Sequence, residues 1–244
     1  MCAVLFDAPQ AVLSLEIPRQ LQLADVHVGE NAPLLQSAQR WLDRGEGDVD
    51  SNSPFRIVHT WGRSGCGKTL LAQTLSQRAA AYLNASNTPA DFAAAHSAAA
   101  VVVDDIDTYP DALAVAAFDV FNAVRLDPSK RWWSTSAVPP AQMTGVRADV
   151  SSRMAWGLVF EMRALNEADS VGVMQAQAAS LGFELSADSA QYLLMRLERN
   201  LSRLAAHLAS LNHYALALKK PVNPYLVQQW YAQVYVPQLQ KSLL

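Results

Sequence analysis

Cysteine is scarce in this chain of 244 residues, where Cys2 and Cys66 are the only two. That excludes a disulfide framework and leaves too few thiols for a zinc knuckle. No apolar run reaches the length of about 18 residues that a membrane-spanning helix requires. The N-terminus, MCAVLFDAPQAVLSLEIPRQ, lacks the charged n-region of a secretory signal. An excess of one charge is missing too: 19 Lys and Arg against 22 Asp and Glu leave a net charge of −3. That excludes a protein whose whole surface grips nucleic acid, though not a local basic patch. With 51% hydrophobic and 17% charged residues, the composition is far from that of disordered chains. A globular protein of one or two domains in a reduced, cytoplasmic setting is expected, with no membrane partner. Of the histidines at 27, 59, 96, 207 and 213, only His207 and His213 are close, and their spacing does not put them on one helix face. A histidine metal site is therefore not expected. No G-x-S-x-G nucleophile elbow is present.

The chain does carry an alternation of short buried strands and helices. Residues 1–23 read as a tail of apolar beads broken by polar residues and prolines. Leu34, Leu35, Ala38, Trp41 and Leu42 have helical spacing over residues 32–45, and GEGDVDSNSP (45–54) is a loop by composition. FRIVHTW (55–61) reads as a buried strand, and LLAQTLSQRAAAYL (70–83) as a helix. The alanine-rich stretch 83–99 yields no assignment. AAVVVDDID is a second buried strand ending in carboxylates, and residues 111–125 form a helix apolar around most of its circumference. KRWWSTSAVPP gives a third strand, stopped by Pro139 and Pro140, and WGLVFEM (156–162) a fourth. Beyond Ala164, residues 166–181, 187–198, 200–217 and 224–236 all have helical spacing. The pattern predicts an α/β fold with a parallel sheet covered by helices, followed by a small all-helical domain. The expected divisions are 1–23, 24–164 and 165–244.

Gly62-Arg63-Ser64-Gly65-Cys66-Gly67-Lys68-Thr69 fits G-x-x-x-x-G-K-[ST], after a strand and opening a helix. The glycines let backbone N–H groups turn inward around phosphates, and the helix N-terminus adds a favourable dipole. Lys68 would reach the β- and γ-phosphates, and the Thr69 hydroxyl would ligate Mg²⁺. Cys66 is read as a small spacer in the loop. The strand Val101-Val102-Val103 delivers Asp104 to hold Mg²⁺ through water, with Asp105 near an attacking water. Strand, loop and paired aspartates together read as a P-loop ATPase.

Five segments add a resemblance. They are DVHVGENAPL, HTWGRSGCGKTLLA, VVVDDID, AFDVFNAVR (with Phe118, Phe121 and Asn122) and SSRMAWGLVFEM (151–162). Together, from about residue 12 onward, they resemble the DnaA family of AAA+ proteins, and most of all its shorter Hda-like regulatory inactivators. The resemblance implies an AAA+ P-loop NTPase with a helical lid, holding ADP or ATP with Mg²⁺. Val28 would line the base pocket and Leu70 the cradle. It implies DnaA as partner, with Arg153 of the Ser-Arg-x-x-Trp-Gly box as an arginine finger entering a neighbour's ATP site. A nucleotide-linked oligomer is also implied.

Two positions depart from the family. Where it has a Thr-Ser/Gly-Asp after the third strand, this chain has Thr135-Ser136-Ala137, leaving hydroxyls without the carboxylate. The lid's sensor arginine falls at Ser202 or Arg203, and a shift of one residue turns a helical side chain by about 100°. Both departures imply nucleotide binding with weak self-hydrolysis. The family's sliding-clamp peptide would correspond to Leu13, Leu15 and Ile17, although Val12 stands where its glutamine falls; Gln20-Leu21-Gln22-Leu23 is the alternative. The chain ends at Leu244 with no helix-turn-helix after the lid, so direct sequence-specific DNA binding is not expected. The rival expectations are an autonomous ATPase in the manner of helicase loaders, using Asp105, and an adaptor that affects no hydrolysis.

Overall fold

The computed structural model of the chain describes residues 22–43, 53–78, 81–143, 148–197 and 201–236. They divide between Leu165 and Asn166 into two compact units.

The first unit is built on five parallel strands in the order β2-β3-β4-β1-β5. They are β1 (Ile57–Trp61), β2 (Ala81–Leu83), β3 (Ala100–Val103), β4 (Arg131–Ser136) and β5 (Leu158–Glu161). Helices α1 (Ala32–Asp43), α2 (Lys68–Ser76), α3 (Pro89–Ala95), α4 (Asp111–Leu126) and α5 (Ala148–Met154) accompany them. Strand side chains alternate between faces, so neighbouring residues enter different cores. Val101, Val103 and Trp132 join the cluster that holds Phe121, whereas Val102 and Trp133 join the one that holds Trp41. Each tryptophan meets its aromatic edge-on, Trp132 with Phe121 at 5.4 Å and Trp133 with Trp41 at 5.9 Å.

One strand departs from the sequence reading. The helix expected to run to Leu83 stops at Ser76, and Ala81–Leu83 form β2 at the sheet edge. Leucine and alanine favour helix locally, but pairing with β3 and burial of Leu83 override that preference. The unassigned stretch holds α3. Pro89 occupies its first turn, and the Asp91 carboxylate accepts the Thr88 N–H at 2.7 Å.

Helix α4 ends on a buried cation. Arg56, 8% exposed, donates to the carbonyls of Val124 (2.6 Å), Arg125 (3.3 Å), Asp127 (3.0 Å) and Lys130 (3.3 Å). It thereby satisfies acceptors that a helix C-terminus leaves without partners. At the start of β5, a Cβ on Gly157 would lie 1.8 Å from the Ile57 carbonyl oxygen. Gly157→Ala must push β5 off β1, and a loss of about 1–3 kcal/mol or more is expected. A lowered urea midpoint, followed by circular dichroism, checks it.

His59, 1% exposed, bridges two serines of β4, with Nδ1 2.8 Å from Ser134 Oγ and Nε2 2.9 Å from Ser136 Oγ. Ser136 spends its own proton on the Val138 carbonyl at 2.6 Å. Nε2 must therefore donate to Ser136, and Nδ1 accepts from Ser134. The neutral ring is satisfied, and burial pulls its pKa from 6.5 down to about 3. An unfolded chain takes up the proton below pH 6.5 while the folded one does not. Stability contributed by the neutral ring is thus complete above that pH. It is lost as pH falls toward the folded value, at up to about 1.4 kcal/mol per pH unit. Urea midpoints at pH 7.5 and 5.0 are expected to show the drop, with a smaller slope in His59→Gln.

The second unit is helical: α6 (Glu167–Ser180), α7 (Ala187–Leu194), α8 (Leu201–Ala217) and α9 (Pro224–Trp230), the last continuing as a π turn over Tyr231–Tyr235. Its boundaries follow local chemistry. Asn166, Ser186 and Asn223 each accept a hydrogen bond from the N–H three residues on. Gly182, at φ +86°, stops α6 while the Phe183 N–H returns to the Ala178 carbonyl. Among the described residues, no helix is long and apolar enough to cross a membrane.

Candidate functional site

Strands β1, β3 and β4 deliver the candidate residues at their C-terminal ends. After β1, Gly62 donates its N–H to the Ser136 carbonyl at 3.1 Å, and a Cβ there would lie 2.4 Å from the Met162 oxygen. Only glycine lets the chain leave the sheet at this point. The loop then turns through Gly65 at φ +80° and Gly67 at φ +108°, in the left-handed region that costs glycine least. Ser64 and Thr69 are exposed and Leu70 is half-buried. Helix α2 opens at Lys68 without a side-chain cap, so its first-turn N–H groups, which have no intrahelical acceptor, stay open toward the loop. A phosphate fits this cradle of open donors and a lysine.

Lys68 is 6% exposed and folds back over the loop, donating to Gly62 O at 2.9 Å and Arg63 O at 3.4 Å. Its ammonium also lies 3.9 Å from Asp105 Oδ1, which joins the loop to the acidic end of β3. Burial pushes the Cys66 thiol above its usual range despite neighbouring Lys68, so Cys66 packs here as a small apolar group.

Asp104 is 4% exposed, and both its oxygens accept from neutral hydroxyls: Thr135 at 2.6 Å and Tyr82 at 2.9 Å. Thr135 in turn accepts the Asp105 N–H at 2.8 Å, so one hydroxyl ties both aspartates to β4. Asp105 itself sits at φ +49°. Burial, then the Asp104 charge, raises its carboxyl above the usual range, with Lys68 opposing. One turn on, Asp107 Oδ2 accepts the Ala137 N–H at 2.9 Å, while its buried Oδ1 has no partner among the described residues. Thr69 makes no hydrogen bond to Asp104 among the described residues. Sequence reasoning missed Tyr82, which lay in the segment read as helix; placing it on a strand beside β3 is the signal that finds it.

Among the described residues Arg153 makes no hydrogen bond or ion pair with the loop. Its guanidinium lies 4.4 Å from the centre of the Trp156 ring and 5.7 Å from that of Phe118. Val28 is exposed at the Gly29 turn. Beside it, the Asn31 side chain donates to the Arg163 carbonyl at 3.0 Å and accepts the Arg163 N–H at 2.8 Å, tying this segment to the chain after β5. Arg203 is exposed on α8 of the second unit. Leu13, Leu15 and Ile17, and the Ser202 side chain, lie outside the described residues.

A family model described as the lid domain of Hda matches residues 167–229, which run from α6 into α9. Domain III of the Thermotoga maritima replication initiation protein DnaA superposes with a TM-score of 0.69 at 16% identity, covering 85% of this chain and 94% of that one. AMPPCP-bound DnaA from Aquifex aeolicus gives 0.62 at 18% identity, over 78% of this chain and 64% of that one. A Thermotoga maritima RuvB variant gives 0.67 at 15% identity, over 88% and 72%. At these identities the structural likeness establishes the fold, and the lid match is confined to residues 167–229. The chain therefore has the fold of DnaA domain III in its first unit, and residues 167–229 of its helical unit match the Hda lid domain.

Proposed function

We propose that this protein binds ADP or ATP with Mg²⁺ in its own loop and, together with a DNA-loaded sliding clamp, stimulates hydrolysis of ATP held by DnaA. The carrying observation is Arg153, a guanidinium with no ion pair among the described residues, held 4.4 Å from the centre of the Trp156 ring. In this reading Arg153 acts in trans, offsetting charge that develops on the partner's γ-phosphate. The protein works in the cytoplasm and prevents re-initiation by converting the initiator to its ADP form.

The chain's own site is built for holding. Backbone N–H groups of Ser64, Gly65, Gly67, Lys68 and Thr69 face the phosphates, while those of Gly62 and Cys66 hold the loop's shape through the Ser136 and Arg63 carbonyls. Lys68 exchanges its carbonyl acceptors for phosphate oxygens. Val28 lines the base side and Leu70 the cradle. Thr69, and Asp104 through water, would hold Mg²⁺, which would supply charge neutralisation for the phosphates. Ala137 offers no carboxylate, and Asp105 is engaged toward Lys68, which supports slow turnover in this site. Leu13, Leu15 and Ile17 supply the clamp contact.

Steady-state ATP turnover by the isolated full-length protein tests this reading against an autonomous ATPase. The expected result is tight nucleotide binding, lost in Lys68→Ala, with turnover near zero. Rapid turnover without DnaA would favour the remodelling enzyme.

A further inference from the structure

Trp156 is 52% exposed, yet it is the most crowded cationic point described in the first unit. The Arg153 guanidinium carbon lies 4.4 Å from its ring centre and that of Arg125, from the last turn of α4, at 5.1 Å. The Nε atoms of both arginines are buried and have no hydrogen-bond partner among the described residues. Neither guanidinium forms an ion pair among the described residues. Two like charges sharing one ring repel each other, and the negative faces of Trp156 and, for Arg153, of Phe118 offset that in part. Such a pair is better satisfied when an anion arrives.

The ring is itself well anchored. The chain turns out of α5 with the Trp156 N–H on the Arg153 carbonyl at 3.1 Å. The next residue, Gly157, is pressed against the Ile57 carbonyl at the start of β5. On the other side of this contact, Arg125 extends from a helix end that Arg56 clamps through the Arg125 carbonyl itself. A flexible arginine is thus laid on a fixed surface between two clamped backbones.

We propose that Trp156 is the positioning residue for Arg153: its ring stacks the guanidinium so that the terminal nitrogens are presented, already ordered, to an anionic phosphate on the partner. This rests on the reading of Arg153 as the group that acts on the partner's ATP. Arginine otherwise gives up rotamer freedom when it docks, and a stacked arginine has lost part of it beforehand. The gain belongs to the maximal rate more than to complex formation, because one buried contact is a small share of an interface.

The test uses the full-length protein with DnaA–ATP and clamp-loaded DNA, reading maximal hydrolysis rate and the concentration giving half of it. Trp156→Leu is expected to lower the maximal rate about two- to fivefold, with the half-saturating concentration unchanged. Trp156→Phe, which keeps a ring, should recover most of the rate. In an Arg153→Ala background Trp156→Leu should cost nothing further. Trp156→Gln, suited to this half-exposed position, replaces the leucine variant should that one melt early. A wild-type maximal rate in the Leu or Gln variant, beside an inactive Arg153→Ala, overturns the proposal. So do losses that multiply in the double variant. Full activity of Arg153→Ala removes the underlying reading, and this proposal with it.

Discussion

Replacing Arg153 with alanine is expected to abolish stimulation of DnaA-bound ATP hydrolysis while leaving the protein folded and able to bind nucleotide. A guanidinium placed on a transferring phosphoryl group is worth about 10³–10⁵ in rate, larger than any other single change considered for this chain. The fold loses little, because Arg153 makes no hydrogen bond at Nε and no ion pair among the described residues. Its stacking on Trp156 and Phe118 is worth about 0.5–1 kcal/mol at an exposed position. Arg153→Lys should not rescue, since an ammonium lacks the planar fork that stacks on a ring and meets two phosphate oxygens at once. Hydrolysis of DnaA-bound ATP on clamp-loaded DNA, beside a thermal melt and a nucleotide-binding isotherm, separates the lost function from lost structure.

Arg56→Met is expected to cost about 3–4 kcal/mol of stability. The methionine can fill the volume but donates nothing, leaving the carbonyls of Val124, Arg125, Asp127 and Lys130 without the cation that holds them. The helix end can recover some of those acceptors through water, which is why the loss stays below the sum of its bonds. A shift of this size lowers the melting temperature by roughly 10 °C in a chain of this length. The damage also has a direction. The end of α4 carries Arg125 toward Trp156, so stimulation of the partner should fall at temperatures where the variant is still folded.

The parts of the site that were legible in the sequence are those where the backbone makes the demand. Gly62, Gly65 and Gly67 stand where a Cβ collides or φ is positive, and few residues but glycine can answer. Asp104 and Asp105 were legible for a related reason, at the end of a β-branched run beside that loop. Tyr82 was hidden because its strand is short, lies at a sheet edge and looks helical in composition; only pairing with β3 reveals it. The contact between Asp107 and Ala137 joins residues thirty positions apart, and no local pattern encodes it. Arg56 reads as an ordinary charged residue before a strand, since its acceptors are carbonyls, which every sequence contains. Trp156 belonged to a recognisable box, but its exposure and its two guanidinium neighbours come from the meeting of α4, α5 and β5.

The measurement closest to the central claim follows the nucleotide held by DnaA itself. DnaA loaded with radiolabelled ATP is incubated with clamp-loaded DNA, with and without this protein, and the bound label is resolved into ATP and ADP. The account predicts that DnaA-bound ATP becomes ADP only when the protein is present with Arg153 intact. ATP that stays on DnaA equally long with the protein, without it, and with Arg153→Ala would contradict it.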